Sequence, residues 1–112
     1  YLVLAIIREE SRFNPKAVSR SYARGLMQII SSTARLICKG LGTPYYSTKL
    51  YNPKTNIEMG TYYLSSLVRR FNGNIALAVA GYNGGPVRVK KWVNEWYNGS
   101  YDFDLDDFVI KF

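Results

Sequence analysis

Acidic side chains are the natural candidates for chemistry in this sequence, because it contains no histidine. Without histidine, Ser-His-Asp and Cys-His catalysis are excluded, and with the single cysteine Cys38 a zinc site is not expected either. Four acids lie in the first 100 residues, namely Glu9, Glu10, Glu58 and Glu95. If the chain is an enzyme, its reaction depends on carboxylates, hydroxyls, amides and backbone groups.

Glu9 and Glu10 differ from the other acids, because they end a predicted helix whose two preceding turns are almost wholly apolar. A carboxylate there emerges at the edge of the core, where lost hydration raises its pKa toward that of a usable general acid. Glu58 and Glu95 lie among polar neighbours, and a solvated helix face explains them. Helical spacing alone does not choose between Glu9 and Glu10, and both also fit a pair of solvated charges at a helix end.

Two glycine-containing segments are candidate ligand contacts. Gln28 follows Gly25-Leu26-Met27. The second segment, Tyr82-Asn83-Gly84-Gly85-Pro86, is predicted to be a tight loop with Tyr82 and Asn83 at its mouth. Glycine lets the backbone approach a ligand closely. Each segment taken singly is equally well explained as a simple turn or a helix cap.

Apolar spacing and capping residues predict the elements that position these side chains. Helices are expected over residues 2–11, 31–40, from Pro53 to a stop at Gly73, over 75–80, from Pro86 to about Tyr97, and over 104–110. Residues 14–25 are predicted to be a loop, and no strand of convincing length is found. The fold class is therefore mainly α: a single domain of short helices around a central buried helix.

Several details of these helices are also predicted. Ser31 or Ser32 is expected to cap the second helix and Gly40 to end it, while Asn74 caps the fourth. The helices over 2–11 and 75–80 are apolar enough to be expected in the core.

Composition limits the function classes. The net charge is +7, and residues 1–100 carry 14 basic and 4 acidic side chains, a net of +10. Such a surface attracts polyanions, including nucleic acid, anionic lipid or an acidic cell-wall polymer. No apolar run is long enough to span a bilayer. Cys38 is expected to be a buried small side chain.

Four motifs occur in a fixed order along the chain: Glu10-Ser11-Arg12-Phe13-Asn14-Pro15, Ala23-Arg24-Gly25-Leu26-Met27-Gln28-Ile29, Asn56-Ile57 with Gly60 and Tyr63-Leu64, and Ala80-Gly81-Tyr82-Asn83-Gly84-Gly85-Pro86. Together they resemble the catalytic domain of the soluble lytic transglycosylases, which is related in fold to goose-type lysozyme. The resemblance runs from about Leu2 to Trp92.

The resemblance implies roles for particular residues. Glu10 is implied to be catalytic, because the family's catalytic glutamate directly precedes the serine of the E-S motif. Substrate contacts are implied for Ser19, Met27, Gln28, Tyr82 and Asn83, with the Tyr82 hydroxyl close to Glu10. The implied enzyme is a carbon-oxygen lyase that cleaves peptidoglycan between N-acetylmuramic acid and N-acetylglucosamine and forms a 1,6-anhydro ring, without cofactor or metal.

Two other functions stay open beside it. A goose-type muramidase would use water instead of the sugar hydroxyl, and a non-catalytic domain would only bind peptidoglycan. Nucleic acid is not an expected partner, because the basic residues are scattered among motifs explained otherwise. The family's E-T-R-x-Y-V segment is absent, Ser31 stands where a proline is usual, and Gly81 and Gly84 stand where alanines are common.

The surroundings of the domain are also implied by the family. We expect the chain to be part of a longer protein, cut at both ends, in the periplasm or cell envelope of a bacterium. Other domains of that protein or a secretion apparatus are possible partners.

Overall fold

Five α-helices form within residues 1–100, the part of the chain that the computed structural model describes. They are α1 (Leu2–Ser11), α2 (Ser31–Leu41), α3 (Pro53–Arg70), α4 (Ile75–Gly84) and α5 (Pro86–Tyr97), with a 3-10 helix over Ser47–Tyr51. Those 100 residues contain only isolated β-bridges and no strand, so the mainly α prediction is confirmed. The helix predicted over 104–110 lies outside the described residues.

The chain divides into two compact units, with the boundary between Tyr63 and Leu64 inside α3. The first unit holds α1, α2, the 3-10 helix and the start of α3, and its fully buried side chains include Ile7, Met27, Ile37, Leu50 and Met59. The second unit holds the end of α3, α4 and α5, and its fully buried side chains include Leu67, Phe71, Leu77, Val89 and Val93.

Helix α1 begins and ends as predicted, but it is less buried than its composition suggested. Only Ile6, Ile7 and Ser11 are buried, whereas Leu4 is 54% exposed. The helix ends because Arg12 adopts a left-handed conformation, with φ 50°, and its N–H bonds to the carbonyl of Arg8 at 3.1 Å.

The predicted caps of α2 are wrong. Ile30 precedes the first helical residue with no side-chain cap, and the helix continues through Gly40 to end at Gly42, with φ +70°. Gly40 serves packing and not chain reversal, because a Cβ there would overlap the Tyr62 hydroxyl of α3. Cys38 is buried, as expected for a lone cysteine.

Helix α3 opens as predicted, because Asn52 Oδ1 accepts a hydrogen bond from the backbone N–H of Thr55 at 3.0 Å and Pro53 is the first helical residue. After Arg70 the chain leaves the helix through Asn72 and Gly73, both with positive φ.

Helix α4 is longer than predicted. Asn74 caps it as expected, accepting from the N–H of Leu77 at 3.1 Å, but the helix runs to Gly84, so the tight loop expected from Tyr82 is wrong. The chain turns at Gly85, with φ +92°, and Pro86 starts α5 directly. Helix α5 packs against α4. The helix is not wholly buried either, since Ile75 is 47% exposed.

Candidate functional site

Glu10 lies at the C-terminal end of α1, partly buried, while Glu9 beside it is exposed. Partial burial raises the pKa of Glu10 above its ordinary value, and the negative charge of Glu9 raises it further. A larger fraction of this carboxyl is therefore protonated near neutral pH than for a solvated glutamate. That is the property a general acid needs.

Ser11 connects the end of α1 to the loop that follows. Its side chain is buried, and Oγ lies 2.7 Å from the carbonyl oxygen of Leu26 and 3.1 Å from that of Ile7. A hydroxyl has one proton, so we assign the donated bond to Leu26, the closer acceptor. The residue directly after Glu10 is thus attached to the G-L-M-Q segment.

Backbone hydrogen bonds give the loop over residues 17–29 a defined shape. Arg24 and Ile29 exchange two bonds, of 3.0 and 3.1 Å, and the N–H of Gly25 donates to the carbonyl of Ala17 at 2.9 Å. Gly25 has φ +81°, and a Cβ there would overlap the Leu50 carbonyl and the Asn56 side chain. The close approach requires glycine.

Gln28, a predicted substrate contact, is partly exposed and adopts a left-handed backbone with φ 50°. Both N–H groups of its amide are used inside the loop, because Nε2 lies 3.0 Å from the carbonyl oxygen of Ala17 and 2.9 Å from that of Gly25. Its Oε1 is therefore the atom that it can offer to a ligand.

Ser19, another predicted contact, is exposed on the same loop. Its Oγ accepts hydrogen bonds from the backbone N–H groups of Ser21 at 3.2 Å and Ala23 at 3.1 Å. These bonds occupy its lone pairs and fix the side chain. The hydroxyl proton is what Ser19 can donate to a ligand.

The side chain of Met27, another predicted substrate contact, is completely buried, and its contact with substrate stays a prediction. It packs on α3 at Gly60, where an added Cβ would overlap the methionine sulfur. Met27 therefore supports the loop from inside the first unit. The motif position suggested a groove residue, whereas packing places this side chain beneath the loop.

Asn56 was named in the third motif, but the sequence analysis gave it no role. It lies in α3, is completely buried, and its Oδ1 accepts from the backbone N–H of Met27 at 2.8 Å. Its Nδ2 donates to the carbonyl oxygens of Leu50 at 2.8 Å and Arg24 at 3.1 Å. A polar residue on the apolar face of a predicted helix was the available signal.

Tyr82 and Asn83, the remaining predicted contacts, lie in the last turn of α4, in the second unit. Tyr82 is partly buried and Asn83 is exposed. Their contact with substrate, and the proximity of the Tyr82 hydroxyl to Glu10, stay predictions.

Within residues 1–100, no group of three or more histidine, cysteine or acidic side chains could hold a metal ion. In the same residues, no helix is both long and apolar enough to cross a membrane. The first unit of this part of the chain holds a partly buried carboxyl and a hydrogen-bonded polar loop.

Comparison with known proteins shows the family of this chain. The family model described as "Transglycosylase SLT domain" matches residues 1–103. The chain belongs to this family. Its fold is similar to that of the lytic transglycosylase Slt from Pseudomonas aeruginosa, solved as an inactive glutamate-to-glutamine variant, with a TM-score of 0.79 and 39% identity over 89% of this chain and 16% of that one. The predicted lysozyme-like transglycosylase fold is confirmed.

Two bacterial relatives have similar sequences. The chain is 44% identical over 92 residues to the soluble lytic murein transglycosylase of Escherichia coli K12, covering 80% of this chain and 14% of the relative. It is 43% identical over 94 residues to the membrane-bound lytic murein transglycosylase C of Yersinia pestis strain Pestoides F, covering 75% of this chain and 26% of the relative. The chain thus spans between 14% and 26% of the length of these two relatives.

Proposed function

We propose that this domain is the catalytic domain of a peptidoglycan lytic transglycosylase, with Glu10 as its general acid and then its general base. The observation that carries the proposal is the Glu10 carboxyl, partly buried at the end of α1, in a chain of the transglycosylase SLT family. The raised pKa of Glu10 suits an acid that holds its proton until it meets the substrate. The relative that is inactive as a glutamate-to-glutamine variant supports the same role.

In the first step, protonated Glu10 gives its proton to the oxygen that joins N-acetylmuramic acid to N-acetylglucosamine. The bond from that oxygen to C1 of the muramic acid breaks, and the glucosamine leaves with a free hydroxyl. The carbonyl oxygen of the muramic acid N-acetyl group bonds to C1 and stabilises the positive charge. This assistance replaces the second carboxylate that glycosidases ordinarily use.

In the second step, ionised Glu10 takes the proton of the C6 hydroxyl of the same muramic acid. The C6 oxygen then bonds to C1, the bond from the N-acetyl oxygen to C1 breaks, and a 1,6-anhydro ring is closed. Glu10 recovers its proton and no water is consumed. A hydrolytic muramidase would place water where the C6 hydroxyl reacts.

The remaining predicted contacts divide by what their free atoms can do. Ser19 can donate its hydroxyl proton to a sugar carbonyl, and Gln28 can accept a bond through Oε1, since its amide N–H groups are used within the loop. Tyr82 is proposed to orient Glu10 and Asn83 to contact substrate, as the motif implies. Met27 acts through the loop that it supports.

The proposed site of action is the cell wall, reached from the periplasm or cell envelope of a bacterium. One relative is named as soluble and the other as membrane-bound. Both names are consistent with the proposed location. Peptidoglycan glycan strands are the proposed partner. Other domains of the parent protein and a secretion apparatus stay predictions.

The test is digestion of purified peptidoglycan in water enriched in heavy oxygen, with the products identified by mass spectrometry. The wild-type chain is compared with Glu10→Gln, and with Glu9→Gln as a matched control that removes the neighbouring, exposed carboxylate. We expect anhydro-muropeptides without heavy oxygen from the wild type and Glu9→Gln. Glu10→Gln should lose at least about a hundredfold in rate, the smaller end of general acid-base contributions.

The other outcomes identify the other functions. Reducing muropeptides that carry one heavy oxygen would indicate hydrolysis of the goose-type lysozyme kind. Binding to the wall without any product, from the wild type and both variants, would indicate a non-catalytic binding domain. Equal activity of wild type and Glu10→Gln would remove Glu10 from the mechanism.

A further inference from the structure

The peptide group between Leu26 and Met27 is held at both ends by buried side chains. Its carbonyl oxygen accepts the Ser11 hydroxyl at 2.7 Å, and its N–H donates to Asn56 Oδ1 at 2.8 Å. Ser11 belongs to α1 and directly follows Glu10, whereas Asn56 belongs to α3. One peptide plane therefore joins the end of the helix that carries Glu10 to a second helix.

The orientation of the Asn56 amide follows from its neighbours. Arg24 and Leu50 present carbonyl oxygens, which need donors, and Met27 presents an N–H, which needs an acceptor. Only one of the two amide orientations satisfies all three groups. Both donors and the acceptor of a completely buried side chain are thus used.

No common replacement reproduces these bonds at position 56. Aspartate would turn two donors into acceptors facing carbonyl oxygens, and its charge would be buried. Glutamine is one methylene longer, and Gly25 already lies so close to Asn56 that a Cβ on that glycine would overlap the amide nitrogen. Alanine would remove one hydrogen bond from each of three backbone groups, of which the Arg24 carbonyl would keep the bond from the Ile29 N–H.

We propose that Ser11 and Asn56 are positioning residues that act as a pair through the Leu26–Met27 peptide. Together they fix the loop over residues 17–29, which carries Gln28, relative to Glu10. The inference rests on the proposed function and adds two residues that touch neither substrate nor reacting atoms. Hydrogen bonds at the two ends of one amide polarise it in the same direction, so each strengthens the other. Loss of either partner therefore weakens the bond that remains.

The test combines Ser11→Ala, Asn56→Ala and the double variant in a cycle on the rate of anhydro-muropeptide release. Each single variant should lose about tenfold to a hundredfold in kcat, as expected for a small displacement of groups around a reacting centre, with a smaller change in KM. The double variant should lose much less than the product of the two single losses, because the second change removes a connection that is already broken.

A stability control separates positioning from general destabilisation. Val93→Ala removes volume from a completely buried residue of α5 in the second unit, so it lowers stability without changing any residue of the loop over 17–29. All variants are assayed at a temperature where thermal unfolding shows each to be folded. Val93→Ala should keep kcat within about twofold of wild type, because it removes none of the hydrogen bonds that hold the Leu26–Met27 peptide.

Amide hydrogen exchange supplies a readout that does not depend on activity. The Met27 N–H should exchange faster in Asn56→Ala, and also in Ser11→Ala, while amides inside α4 stay unchanged. Ser11→Ala is the decisive variant if Asn56→Ala does not fold, because alanine suits a helix and the change removes only one hydroxyl.

Three results would overturn the inference. The first is full kcat in folded Ser11→Ala or Asn56→Ala, and the second is a pair of losses that multiply without coupling. The third is Met27 exchange unchanged in Ser11→Ala. Failure of the proposed function looks different, because the wild type itself would then release no anhydro product.

Discussion

Glu10 makes the stability of the fold depend on pH in a direction opposite to most acids. Its pKa is raised by partial burial and by Glu9, so the folded state binds this proton more tightly than the unfolded chain. The contribution of Glu10 to stability is fully present below the ordinary pKa of 4.5 and is lost as pH rises through the raised value. Ionised Glu10 therefore destabilises the fold at neutral pH.

We accordingly expect Glu10→Gln to have a higher melting temperature than wild type at neutral pH. The difference should shrink as pH falls and be smallest below the ordinary pKa of 4.5. Thermal unfolding of both proteins across this pH range measures it. Glu9→Gln is the matched control: by removing the repelling charge it should recover part of the gain, and a constant difference at every pH would contradict the assignment.

Some of the site residues could be predicted from the sequence and others could not. The choice of Glu10 over Glu9 came from motif resemblance, because helical spacing treats neighbouring positions at a helix end alike. In the structure the two differ in burial, with Glu9 exposed and Glu10 partly buried. The burial of Met27 and the hydrogen bonds of Asn56 were not foreseen, because they depend on contacts between segments 29 residues apart in sequence.

At the scale of elements, two glycines that look alike in sequence have opposite requirements. Gly25 has φ +81° and lies against the Leu50 carbonyl and the Asn56 amide, whereas Gly84 is the last residue of α4 and an added Cβ meets nothing within 4 Å. Alanine at position 25 adds both backbone strain and overlap. At position 84 it adds only helix propensity.

We expect Gly25→Ala to lower the free energy of unfolding by at least about 2 kcal/mol, from left-handed strain and overpacking together. Gly84→Ala should leave it unchanged or raise it by up to about 1 kcal/mol. Urea unfolding of the two variants and wild type measures both effects. A Gly25→Ala protein as stable as wild type would mean that the close approach to Asn56 is not maintained in solution.

Most helices could be predicted because their signals are local, while the errors came from distant packing. Asn52-Pro53 and Asn74 mark helix starts by their own hydrogen bonds, and these predictions are confirmed. Gly40 suggested a helix end, yet it is helical and lies against the Tyr62 side chain of α3. The helix predicted to stop at residue 80 continues through Gly81, which lies against Phe71. The 3-10 helix before α3 left no recognisable pattern.

At the scale of the whole molecule, positive charge dominates. The chain carries 15 basic and 8 acidic side chains, and the first 100 residues carry 14 and 4. Peptidoglycan carries carboxylates on its peptide stems, so a positive domain is attracted to it over distances longer than a hydrogen bond. This attraction is screened at a Debye length of about 8 Å at physiological ionic strength.

Rising salt should therefore increase KM for peptidoglycan and leave kcat nearly unchanged, because screening acts on the approach to the wall and not on the proton transfers proposed for Glu10. Turnover measured over a salt series on intact wall tests this expectation. Neutral chitin oligosaccharides, which lack peptide stems, are the control ligand, and their binding should hardly respond. If salt affected peptidoglycan and the chitin oligosaccharides equally, the effect would come from a change in the fold and not from screening of the positive charge.

The backbone conformation at the end of α2 favours a residue of D chirality at position 42. Gly42 holds φ +70° on an exposed turn, a conformation that costs an L-residue roughly 1–2 kcal/mol but is the ordinary helical region for a residue of opposite chirality. A chemically assembled chain with D-alanine at this position should unfold at a higher temperature than the glycine form, while its L-alanine epimer unfolds lower. The gain, about 0.4–1 kcal/mol, would come from the narrower freedom of the unfolded chain. A single D-residue at position 42 would then stabilise the domain without altering any contact of the loop over residues 17–29.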